Sequence, residues 1–154
     1  MALCSRHKGV TMSVQECFSH VPRHIAGEVS AICSVQPPNG GGGSPLIRIL
    51  NSFLPFIRLK ETNFHYLALT RDALVHIAVD HDGTVYSKRE YPRAAISNVA
   101  VTAREHQVGV SFSHNGERVE LTCLEYPFGA SGLSETDYAE AKQLTHTIVR
   151  AIAN

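Results

Sequence analysis

The chain predicts an α+β fold that is mainly β. We expect a curved antiparallel sheet or barrel of about seven strands, capped by a C-terminal helix and preceded by an N-terminal helical segment on a glycine-rich tether. Three observations predict it. Residues 65–126 read as consecutive short strands separated by tight turns. Residues 134–153 read as one capped amphipathic helix. Between them and the front of the chain stands the stretch QPPNGGGGSP at 36–45.

Composition narrows the function classes. The 154 residues fit one ordinary domain with an appendage, and a hydrophobic content of 44% is enough for a sizeable core. The formal net charge is +0 and charged residues make up 18%, so a broad nucleic-acid or anionic-membrane surface is not indicated. No apolar run approaches the ~20 residues that span a bilayer. Residues 1–10 lack the apolar core of a secretory signal. The cysteines, at Cys4, Cys17, Cys33 and Cys123, form no recognisable disulfide framework. They read as reduced thiols, and the expected location is cytoplasmic.

The division that follows is an N-terminal amphipathic helical segment over 1–35, a Pro/Gly-rich linker over 36–45 and a main domain over 46–154. In the front segment Ser13 and Glu16 fit the S-x-x-E capping box. Val14, Cys17, Phe18, Val21, Ile25, Val29 and Ile32 then recur every three or four residues, as on one helix face. Pro22 should break this helix or start a second one. The tether behaves as a flexible linker of ~20 Å r.m.s. span. Its run from Gly40 to Ser44 is also a unit used to join engineered fusions. A natural low-complexity loop and an engineered join stand as equal readings.

Beyond the tether, Leu46, Ile47, Ile49, Leu50, Phe53 and Leu54 suggest a short apolar helix ending before Pro55. Residues 56–60 suggest a first strand. Strands over 65–70, 73–80 and 84–91 follow, with turns near Arg71 and Gly83, and Pro92 ends the last of them. Asn115 and Gly116 are the central residues of a primed hairpin turn. Folding there pairs Phe112 with Val119, Val110 with Leu121 and Val108 with Cys123, all on one face. A turn over 104–107 would pair Val101 with Val110 and Val99 with Phe112. In the final helix Ser134 is the N-cap and Asp137 lies near the positive dipole end. Tyr138, Ala141, Leu144, Thr145, Ile148, Val149 and Ile152 form its expected buried face.

About seven strands followed by one capped helix resemble the pleckstrin-homology-like superfamily over roughly residues 56–153. Leu69 and Thr70 ending one strand, and Ile96, Ser97, Asn98 and Val99 in a later one, are similar to its bacterial branch. The resemblance implies a non-catalytic binding module for proteins, peptides or phosphoinositides. Lipid-binding members carry basic clusters near the first strands. Here only Arg58 and Lys60 lie at that place, with Lys88, Arg89 and Arg93 as a second small group.

The function expected is therefore recognition of a protein or peptide segment, with no enzyme activity. The chain's own front segment, or a fused partner's, is the nearest candidate ligand, through Val14, Cys17, Phe18, Val21, Ile25 and Val29. A homodimer formed by exchange of that segment is a further form of the same reading. No cofactor is expected. The alternative is zinc, because Cys4 and His7, then Cys17 and His20, repeat a C-x2-H spacing and His24 follows. The other alternative is a phosphoinositide headgroup on the basic residues above.

Overall fold

The computed structural model describes residues 13–36, 64–80, 83–127 and 133–154. The elements are α1 (Val14–Phe18), β1 (Val29–Gln36), β2 (Phe64–Thr70), β3 (Ala73–Val79), β4 (Val85–Pro92), β5 (Ile96–Arg104), β6 (Gln107–His114), β7 (Glu117–Leu124) and α2 (Glu135–Ala153). The strands form a single antiparallel sheet in the order β4-β3-β2-β1-β7-β6-β5. With its C-terminal helix this is a mainly-β α+β arrangement compatible with a pleckstrin-homology-like fold. Among the described residues no helix is long and apolar enough to cross a membrane.

The front segment departs from the expected helix. Its capping box forms: Ser13 Oγ accepts from Glu16 N at 3.3 Å and Glu16 Oε2 accepts from Ser13 N at 2.9 Å. The helix nevertheless ends at Phe18. A short 3₁₀ turn, Pro22–His24, follows, because proline has no N–H to continue an α-helical ladder. Gly27 then takes φ +94°, which turns the chain. Val29 and Ile32, placed on the helical stripe by their spacing, belong instead to β1. That strand lies mid-sheet, pairing with β2 from Val29↔Thr70 to Val35↔His65 and with β7 through Val35 and Gln36. The reason is local: residues 29–35 (VSAICSV) are rich in β-branched and small side chains that suit a strand covered on both faces. The expected helix over 46–54 and strand over 56–60 lie outside the described residues.

Two apolar clusters occupy the two faces of β1–β3. On one face Ala31, Cys33, Val35, Leu67, Leu69 and Leu74 meet Val108, Val110, Phe112, Leu121 and Cys123, with Ile148, Val149 and Ile152 of α2 closing the cluster. On the other, Ile32, Tyr66, Ala68, Val75, Ile77 and Val79 are covered by Val14, Phe18, Val21 and Ile25 of the front arm. Phe18 meets the Tyr66 ring edge-on, with centroids 6.0 Å apart. Because both faces are covered, β2 buries six successive residues from His65 to Thr70 and its sequence shows no alternation.

The β6–β7 hairpin forms in the expected register, with Val108↔Cys123, Val110↔Leu121 and Phe112↔Val119. Val101↔Val110 forms as well. Val99 does not pair with Phe112: the register shifts between Ser97 and Ala100, where Asn98 adopts φ 52°. A left-handed residue there makes a bulge, and asparagine tolerates that conformation. α2 begins at its Ser134 cap, with Asp137 N donating to Ser134 Oγ at 3.1 Å. Ala141, Thr145, Ile148, Val149 and Ile152 are buried as expected, whereas Tyr138 is 41% exposed. It sits in the first turn of α2. Thr145 Oγ1 donates to Leu124 O at 2.7 Å, tying the helix to the end of β7.

Candidate groove and interior histidine pair

The front arm, β1 and α2 enclose an open groove of about 340 Å³. α1 and the 3₁₀ turn supply Val14, Gln15, Phe18, Ser19 and Pro22. The start of β1 supplies Val29, Ser30, Ala31 and Ile32, and α2 supplies Glu140 and Leu144. Local features hold each wall. The capping box starts α1 so that Val14 and Phe18 face the sheet. A register shift between Val29 and Ala31 bends the start of β1, and Ser30 Oγ ties this bend to Leu69 O at 3.1 Å. The N-terminus of α1 also meets that of α2. The Asp137 carboxylate, held below its ordinary range chiefly by the Ser134 hydroxyl, is stabilised further by the backbone N–H of Val14. Among the described residues the groove is apolar with a polar rim, and Glu140 is its one formal charge. That chemistry suits apolar side chains accompanied by a cation.

A second polar group sits on the β2–β4 strands. His65 Nδ1 and His76 Nε2 lie 2.9 Å apart, and the Tyr86 hydroxyl is 3.3 Å from His65 Nε2. A bond between two imidazole nitrogens needs one ring to donate and the other to accept, so the two rings cannot both be protonated while it is made. Burial lowers the pKa of both. For His76 it falls to about 4, helped by the charges of His65 and of Arg89 across the strand. Arg89 in turn donates to Glu117 Oε2 at 2.6 Å and stacks 5.3 Å from the centre of the Tyr91 ring.

Of the residues singled out from sequence, Val14, Cys17, Phe18, Val21 and Ile25 are buried and Val29 is half-buried. Val14, Phe18 and Val29 reach the groove; Val21 and Ile25 lie in the covered face of the sheet. Cys17 and His20 are buried and His24 is half-buried, but the continuous helix that would align them ends at Phe18. Among the described residues no three His, Cys, Asp or Glu side chains gather into a metal site. Cys4 and His7 lie outside them, as do Arg58 and Lys60. Burial, with Arg23 and His24 nearby, lowers the His20 pKa to about 4. The basic residues of β4 and the turn after it are engaged: Lys88 with Glu90 at 3.4 Å, Arg89 with Glu117, and Arg93 with the carbonyls of Arg71 and Ala151.

Sequence reasoning missed the α2 wall of the groove, Glu140 and Leu144, and missed the histidine pair. The pair carried a signal. A tight turn at Arg71 and Asp72 sets Leu67 opposite His76, which brings His65 onto the same face two residues away. No protein-family model matches the chain, and no curated protein matches it.

Proposed function

We propose that this protein is a non-catalytic binding module of the pleckstrin-homology-like kind that recognises a protein or peptide segment. The segment would lie in the groove between the front arm, β1 and α2. The observation that carries the reading is the groove itself: an open apolar trough formed by three separate elements, with the Glu140 carboxylate at its rim. The trough opens to solvent, and Pro22, Val29 and Leu144, which are not buried, leave apolar surface there that a partner could cover. The fitting partner offers two or three apolar side chains and a Lys or Arg placed to meet Glu140. The phosphoinositide alternative has less support, since Lys88, Arg89 and Arg93 already hold internal partners.

The test is selection of a phage-displayed peptide library on the immobilised protein. Apolar peptides carrying one basic residue should be enriched. Gln15→Trp, which fills the groove from an exposed helix position, should abolish the enrichment. Glu140→Lys should shift the selected peptides toward acidic residues. An empty selection, or one indifferent to both variants, would refute the proposal.

A further inference from the structure

We infer that the outer edge of β5 is an interaction surface for a second copy of this chain, the two β5 strands pairing antiparallel about a two-fold axis at Thr102. This surface is separate from the groove and does not depend on it. Among the described residues β4 and β5 are the edges of the sheet. The β4 edge is guarded against pairing with a copy of itself: Lys88, Arg89 and Glu90 stand mid-strand and Pro92 ends it. β5 has no such guard. From Ile96 to Ala103 it carries neither charge nor proline, and Arg104 is its one charged residue. Residues 100–104 are all exposed, Val101 at 44%. Val101 shares a sheet face with its partner Val110, so it carries the rim of the apolar cluster under α2 out into solvent.

Strand pairing fixes which backbone groups reach that edge. The Asn115–Gly116 turn makes His114↔Glu117 a hydrogen-bonded pair, and Glu125 N donating to His106 O at 3.0 Å continues the same alternation. Even-numbered residues of β6 therefore bond to β7, and odd-numbered ones bond to β5. Their β5 partners are Ala100, Thr102 and Arg104. Val101 and Ala103, lying between them, direct their N–H and C=O groups away from β6. This regular stretch is bounded on one side by the bulge between Ser97 and Ala100, where Arg118 Nη1 donates to Asn98 O at 2.8 Å, and on the other by the turn after Arg104. Its midpoint is Thr102. Antiparallel pairing about that residue sets Val101 opposite the second copy's Ala103, and the reverse, with each pair exchanging both hydrogen bonds. Every outward group of the stretch is then satisfied. Arg104 falls opposite the small, uncharged Ala100 of the second copy, so no like charges meet within the paired stretch. Thr102 meets its own symmetry mate, and Gly109 beside it carries no side chain to crowd that contact.

The register is tested by cross-linking the full-length chain. All variants carry Cys4→Ser, since Cys17, Cys33 and Cys123 are buried. The oxidant is diamide, which takes up the hydrogens of the two thiols as the disulfide forms. Thr102→Cys should give a covalent dimer, because facing residues of a pair that exchanges no hydrogen bonds lie within disulfide reach. Ala100→Cys and Arg104→Cys should each stay monomeric alone and should cross-link when mixed with one another. Val101→Lys/Ala103→Lys sets lysines opposite each other across the axis and should abolish the Thr102→Cys cross-link, with circular dichroism confirming the fold. In sedimentation equilibrium without oxidant the wild type should dimerise reversibly, and the two lysines should weaken that dimer at least about ten-fold. A wild type that stays monomeric would overturn the inference. So would cross-linking that is equal at the three single sites, or that survives the two lysines in a folded protein.

Discussion

Acidification should destabilise this protein through its buried neutral histidines, and the size of the effect follows from their surroundings. His20 and His76 each have a pKa of about 4 in the fold, against 6.5 for an unburied imidazole. A histidine with a depressed folded pKa binds its proton more readily in the unfolded chain. Its contribution to stability is therefore complete above pH 6.5, is lost as pH falls from 6.5 towards 4, and changes no further below that. At 1.36 kcal/mol per unit, lowering pH from 7 to 4.5 costs about 2 kcal/mol for His76 and less for His20, where solvent screens part of the shift. The His65–His76 bond adds a geometric reason. With both rings protonated there is no acceptor left between nitrogens 2.9 Å apart, and Arg89 is across the strand. The assay is urea denaturation followed by circular dichroism at pH 7 and pH 4.5, for the wild type and for His76→Gln. Carboxylate contributions are common to both proteins and cancel in the comparison. The variant should lose about 2 kcal/mol less than the wild type on acidification. Equal losses would show that His76 is not held neutral by its site and would refute the reasoning.

Three further outcomes test the packing. Phe18→Asp places a charge between the front arm and Tyr66 and should cost about 3 kcal/mol or more; trypsin should then cut at Arg23 faster than in the wild type, and an unchanged cleavage rate would mean that the arm does not depend on this contact. Thr145→Val keeps the side-chain shape but leaves the Leu124 carbonyl without its 2.7 Å donor, so unfolding should move to lower urea by about 1 kcal/mol. Ser134→Ala removes the hydroxyl of the α2 capping box and should lower stability by about 1 kcal/mol in the same assay, with Ser134→Asp restoring most of it.

How much could be read in advance depended on where the deciding forces lay. The β6–β7 hairpin and α2 follow from short-range chemistry. Asn115 and Gly116 adopt the positive φ that a primed turn needs, at 50° and 80°, and the alternation on either side admits one register. The Ser134 cap and its spaced apolar residues likewise mark the start and the buried face of α2. The register of β5 was legible only up to its bulge. Asn98 leaves the β region there, and although asparagine tolerates that conformation, its presence within an alternating stretch does not by itself mark a bulge.

The front segment shows the limit most plainly. By sequence alone it carries a capping box, a proline at 22 and apolar residues whose spacing suits a helix. Those features determine where α1 starts and that it stops early. Whether Val29 to Gln36 continues as helix or becomes a strand is a tertiary decision. Covered on one side by the front arm and on the other by α2, a strand in mid-sheet buries Ala31 to Val35 without a break and pairs its backbone with β2 along its length and with β7 at its end. A helix could have buried one face. The groove and the histidine pair belong to the same class. Each joins residues distant in sequence, Phe18 with Leu144 and His65 with His76, and each exists because chain segments that are individually unremarkable are brought together by the curvature and pairing of one sheet.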